Sequence, residues 1–99
     1  MRAKSDVEVT TIPIEFDAII FQEGRSFVGH CPELDVSSCG HTVDEARGCL
    51  KTAVRLFVEE AEKLGALDDI LKEAGYQRGT DGKWKSPHII ATEVMSLSA

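Results

Sequence analysis

Apolar and polar residues alternate with period two from Ile12 to Gln22: Ile14, Phe16, Ala18 and Ile20 share one face, and Glu15, Asp17, Ile19 and Phe21 the other. This pattern predicts a strand, with Pro13 near its start, where a missing amide donor is tolerated. Glu23-Gly24 forms a turn, and Arg25 to Cys31 is extended again, so the two segments form a hairpin. Phe27, Gly29 and Cys31 share one face of the second strand. Cys31-Pro32-Glu33-Leu34-Asp35 then bends the chain into a third short strand, Val36 to Cys39. The spacing changes after Gly40-His41. Ala46, Leu50, Ala53, Val54, Phe57, Ala61 and Leu64 recur every three or four residues, while Lys51, Arg55, Glu59, Glu62 and Lys63 fill the other face.

This second pattern predicts a long helix over 42–64. It opens on a capping box, Thr42-Val43-Asp44-Glu45, whose hydroxyl and carboxylate each accept a free backbone N–H, and it closes at Gly65. A short helix is expected over 67–75, ended by Gly75. Arg78 to Lys83 is rich in turn formers. The β-branched, apolar character returns from His88 to Val94, so a closing strand is placed at 88–95. With the first three strands at 10–40, the chain reads as one α+β domain spanning 1–99.

Composition narrows the function classes. At 42% hydrophobic and 28% charged residues the chain has enough apolar surface to fold. A domain this short buries a small share of its surface, which favours a homo-oligomer. The 11 basic residues stand against 17 acidic ones, a formal charge of -6, which disfavours direct nucleic-acid binding and attracts a basic partner. No apolar run is long enough for a membrane span or signal peptide, and three cysteines without a close pair fit a reducing, cytoplasmic setting.

The ordered pieces Cys31-Pro32-Glu33-Leu34-Asp35, Ser38-Cys39-Gly40, Thr42 and Glu45-Ala46, with the leucine and valine pattern to Phe57, resemble the central signature of the HicB-like family over residues 14–64. The resemblance implies a partial ribonuclease H-like fold, with an antiparallel meander, a covering helix and an added final strand. It also implies an antitoxin that binds a small, basic, RNA-cleaving toxin of the HicA type. Many relatives carry a C-terminal DNA-binding domain. This chain ends five residues after Val94, so a single-domain member is expected.

Candidate chemistry is sparse. A two-metal nuclease needs converging carboxylates, whereas Asp17, Glu59, Glu60, Glu62 and Glu93 are expected to lie apart as solvated surface. Cys31, Cys39, Cys49, His30 and His41 lack the C-x₂₋₄-C spacing of a structural zinc site. Cys31 and Cys39 lie on adjacent strands, where they can meet, but core packing is the favoured role of the thiols. His30 points away from Cys31 and is not placed to activate it. No cofactor, metal or catalytic residue is therefore expected. The partner-binding candidates are Pro32, Glu33, Leu34 and Asp35 at the corner, for which a plain structural turn is an equal reading, and Trp84, for which closure of a small cluster with Tyr76 and Pro87 is favoured. Two other functions fit the chain less well: a solitary homo-oligomeric structural or ligand-binding domain, and a metal-dependent nuclease.

Overall fold

A computed structural model describes residues 13–98. The predicted first-strand residues Thr10, Thr11 and Ile12 lie outside the described residues. Three antiparallel strands, β1 (Ile19–Glu23), β2 (Ser26–Cys31) and β3 (Val36–Gly40), form a sheet in the order β1-β2-β3. The hairpin turns on Gly24-Arg25 and pairs Glu23 with Ser26, which sets the register Ile19 to His30 and Phe21 to Val28. From β2 the register continues as Gly29 to Ser38 and Cys31 to Val36.

Helix α1 (Val43–Lys63) follows, as expected within a residue at each end. The Thr42 hydroxyl accepts the Glu45 N–H at 3.0 Å, and the Glu45 carboxylate accepts the N–H of His41, one residue earlier than a standard capping box. At its C-terminus the Ala66 N–H donates to Ala61 and the Gly65 N–H to Glu62, with Gly65 in the left-handed region. The short helix α2 (Leu67–Glu73) ends in the same way: Tyr76 donates to Leu71 and Gly75 to Lys72. Each of these endings turns the chain back on the core.

Helix α1 lies on one face of the sheet, and glycine permits its close approach. A Cβ on Gly29 would stand 3.0 Å from the Ala46 carbonyl oxygen and 3.1 Å from Leu50 Cβ, and one on Gly40 would stand 2.8 Å from the Ala46 amide nitrogen. Ala46, Leu50, Val54 and Ala61 are buried from the helix, with Cys31 and Leu34 from the sheet side and Leu67, Leu71, Tyr76 and Trp84 from the chain beyond it. Leu64, expected to extend the apolar stripe, is 72% exposed because the helix ends there and the chain reverses at Gly65.

The structure departs from expectation at two strands: the predicted first strand is regular only from Ile19, with Glu15 to Ala18 irregular after a lone bridge at Ile14, and the closing strand does not form at 88–95. Two short strands, β4 (Gln77–Arg78) and β5 (Trp84–Lys85), form a hairpin across the predicted turn region. Trp84 is the residue that adds to the first-strand line: its N–H donates to Pro13 O at 2.9 Å, and its carbonyl accepts the Glu15 N–H at 3.2 Å, in a parallel bridge to Ile14. The next rung would join the Ser86 N–H to Glu15 O and the Asp17 N–H to Ser86 O. Both Glu15 O and the Asp17 N–H are engaged elsewhere. Tyr76 donates to Glu15 O at 2.7 Å, Asp17 donates to the Glu33 carboxylate at 3.1 Å, and Ser86 turns its N–H to the Glu15 carboxylate at 3.1 Å. Pro87 then offers no donor. Residues 88–95 are therefore not a strand here, and Pro87 to Ser98 is irregular and exposed.

The tight contact at Gly29 is directly testable. Gly29→Ala is expected to destabilise the fold by about 1–3 kcal/mol through overpacking against Ala46. Gly48→Ala, at a mid-helix position with nothing within 4 Å of an added Cβ, is expected to stabilise it by about 1 kcal/mol. Urea unfolding of both variants measures the difference, and equal stability of Gly29→Ala and the native chain would refute the packing argument.

Candidate functional site

The corner between β2 and β3 is closed onto the fold. Asp35 has φ 55°, a left-handed conformation that aspartate tolerates better than most residues and that turns the chain into β3. Leu34 is buried in the core, Pro32 and Asp35 are exposed, and Glu33 is half-buried. The Glu33 carboxylate accepts the Asp17 N–H at 3.1 Å and the Cys31 thiol at 3.4 Å. Of the four candidate residues at the corner, Pro32 and Asp35 thus present most surface to a partner, while Leu34 and Glu33 hold the corner in place. Trp84 is also buried, at 2% exposure, with Arg78 stacked over its ring at 5.4 Å. Its indole belongs to the main hydrophobic core together with Tyr76, rather than to a small separate cluster with Pro87, which is exposed, and it offers no exposed anchor.

Behind the corner three carboxyl groups converge that the sequence reading did not bring together. Glu15, Asp17 and Glu33 gather around Tyr76, Cys31 and Ser86, and Ser86 Oγ also donates to Glu15 at 3.4 Å. Burial raises the Glu33 carboxyl above its ordinary range, and hydrogen bonding with the Asp17 carboxyl, which needs a proton between the two groups, raises it further. Asp17 Oδ2 is buried and has no hydrogen-bond partner among the described residues, and a proton on the raised Glu33 carboxyl would supply one. Burial also pushes the Cys31 thiol up to about 11 and raises the Tyr76 phenol, the nearby carboxylate of Glu33 adding to both. These are the properties of an inert thiol and a neutral phenol. The signal for this convergence was present in the hairpin: once Gly24-Arg25 fixes Ile19 opposite His30, Asp17 falls beside the residues just after Cys31.

The metal candidates are dispersed. Cys31 faces the core, Cys39 is exposed opposite Val28, and Cys49 is half-buried on α1, so Cys31 and Cys39 lie on opposite faces of the sheet and do not meet. His30 Nδ1 is 2.6 Å from Ser37 Oγ across the strands. Among the described residues no three His, Cys, Asp or Glu side chains are grouped to hold a metal ion, and no helix is long and apolar enough to cross a membrane.

Among the described residues two surfaces stand out, beside a smaller groove lined by Ile14, Phe16, Val54 and Val58. One is a largely apolar groove between β3 and α1, lined by Ser38, Gly48, Cys49, Thr52, Ala53 and Leu56 with Glu45 at one end, and with Leu56 56% exposed. The other is the acidic end formed by the last turns of α1 and by α2, where Glu59, Glu60, Glu62, Asp68, Asp69 and Glu73 are all exposed, with Lys63 and Lys72 among them and Arg55 4.0 Å from Glu59. Comparison of the chain with protein-family models, with curated proteins and with solved structures gave no match.

The raised Glu33 carboxyl makes stability depend on pH. Glu33 holds its proton more tightly folded than unfolded. Its contribution is therefore complete below the unfolded value of about 4.3 and is lost as pH rises through the raised folded value. Glu33→Gln keeps an acceptor for Asp17 N–H and replaces the shared proton with an amide donor. At neutral pH it is expected to be more stable than the native chain by about 1 kcal/mol or less, solvent screening limiting the gain. The difference should shrink toward pH 4, and denaturant unfolding across that range reads it; a pH-independent difference would dismiss the shared proton.

Proposed function

We propose that this chain is an antitoxin-like binding module of the HicB type, on a partial ribonuclease H-like fold, which acts in the cytoplasm by stoichiometric binding to a small, basic, RNA-cleaving toxin of the HicA type. The observation that carries this reading is the acidic end of the two helices: six exposed carboxylates against two lysines within residues 59–73. A protein built to bind RNA presents a basic surface, and spaced carboxylates on a rigid helix offer that surface the charge that phosphates offer it. Complementary charge of this kind accelerates encounter and rejects acidic competitors. The order of the corner, the glycine at the end of β3 and the Thr42 cap, which resembles the HicB-like signature, supports the same assignment, as does the net charge of -6. The irregular segment after Pro87 favours self-association as well, and the two properties are separable by experiment.

The test is affinity purification of the tagged chain, followed by an RNA-cleavage assay of any small basic protein that co-elutes with it. Cleavage is expected to stop at equimolar chain, and the affinity to fall with added salt. The triple variant Glu59→Lys, Glu62→Lys, Asp69→Lys alters only exposed side chains and is expected to bind about 10- to 100-fold more weakly, chiefly through slower association. Persistent cleavage in excess chain, or inhibition indifferent to the triple variant, would refute the proposal.

A further inference from the structure

The segment His88 to Ser98 has the sequence of a strand and no partner among the described residues of its own chain. Ile90, Val94, Met95 and Leu97 are 92%, 99%, 81% and 95% exposed, and the segment contains neither Pro nor Gly. Isolated in water, four such side chains are an unstable arrangement, since a contiguous apolar stretch of this kind normally marks a contact surface. The route to pairing within the chain is closed at Ser86. The two groups that would extend the ladder, Glu15 O and the Asp17 N–H, are held by Tyr76 and Glu33, and Pro87 follows.

Across the sheet is a surface with the matching need. β3 (Val36–Gly40) is an edge strand paired only on its β2 side among the described residues, so a row of backbone groups faces outward. Beside that edge runs the groove whose wall is Gly48, Cys49, Thr52, Ala53 and Leu56 of α1. Small residues leave space there, and nothing lies within 4 Å of a Cβ built on Gly48. The segment leaves the fold beside Ile14, on the β1 side, whereas this edge lies on the β3 side, so the two ends of the match sit at opposite margins of one molecule.

We infer that two copies of this chain exchange their C-terminal arms, Ile90 to Val94 of each copy adding as a fourth strand to β3 of the other, with Ile90, Thr92 and Val94 turned into the groove on α1. The five residues match the five-residue length of β3. With Ile90, Thr92 and Val94 inward, Glu93 points to the other face and to water. The arm contributes a single acidic residue and one histidine, so the contact is formed by the least charged part of a chain that otherwise repels its copy. The exchange is reciprocal, each copy giving and receiving the same element, and so it closes as a two-fold dimer. The five paired residues of an unfolded chain carry about 800 Å² of accessible surface. Covering half of that on each of two arms buries about 800 Å², and the receiving edges and grooves lose about as much again, which brings the total to the roughly 1,600 Å² of a standard stable interface. This dimer is independent of the antitoxin reading, since the groove and the acidic helix ends are separate surfaces.

Sedimentation of the full chain over a concentration series tests the exchange. The native chain is expected to be a dimer. Ile90→Asp with Val94→Asp, which alters side chains 92% and 99% exposed, is expected to give a folded monomer or a dimer at least about tenfold weaker. Gly48→Arg fills the groove from an open helix position and should have the same effect, while Phe21→Lys, on the other edge strand, should leave the dimer intact. Circular dichroism confirms that each variant is folded. A monomeric native chain, or a dimer unaffected by the arm variant, overturns the exchange; a dimer lost in Phe21→Lys and retained in Gly48→Arg overturns its placement on β3.

Discussion

The contact between Ala46 and the two glycines beneath it, Gly29 and Gly40, is the constraint on which the rest of the structure depends. With any side chain at those positions α1 would be lifted from the sheet, and Leu50 and Val54, which continue the same face of the helix, would lose their contact with Cys31 and Leu34. The Thr42 cap acts in the same place, because it starts the helix immediately after Gly40 and so fixes where Ala46 falls. Glycine, cap and alanine are one arrangement spread over three segments of sequence.

A second arrangement joins the ends of the described chain. Backbone and side-chain groups of Glu15 and Asp17 bind Tyr76, Ser86 and Glu33, so the segment before β1, the corner and the segment after α2 meet at one place. The hydrogen bonds that make this junction are the ones a continuing sheet would need. The fold thus gives up a rung of its own ladder to hold Tyr76 and the corner, and the chain beyond Pro87 is left outside.

Much of this was readable from residue order. Period-two alternation located β2 and the end of the predicted first strand, which is regular only from Ile19, and the spacing from Ala46 to Ala61 with the Thr42 and Gly65 signals located α1 within a residue. Local rules sufficed because these elements are specified by neighbours in sequence. The closing strand failed for the opposite reason. His88 to Val94 has genuine β character, but strand formation requires a partner, and whether Glu15 and Asp17 are available is decided by Tyr76 and Glu33, far away in sequence. The site was read less well than the fold: Leu34 and Trp84 have the composition of contact residues, yet their burial follows from how the corner and the hairpin close. The convergence of Glu15, Asp17 and Glu33 needed a register that alternation alone does not supply.

The junction at Glu15 also implies an order of folding. Contacts within the meander and α1 join residues close in sequence, whereas Tyr76 and Ser86 reach Glu15 across 61 and 71 positions. Closing loops of that length costs more chain entropy than forming a hairpin, so such contacts tend to come after the local ones. The meander and helix are therefore expected to assemble first, with the segment from Tyr76 to Ser86 docking onto them last. On that order a chain emerging during synthesis would bring Asp17 and Glu33 together before Tyr76 arrives, and would complete its native contacts only when the second half has been made.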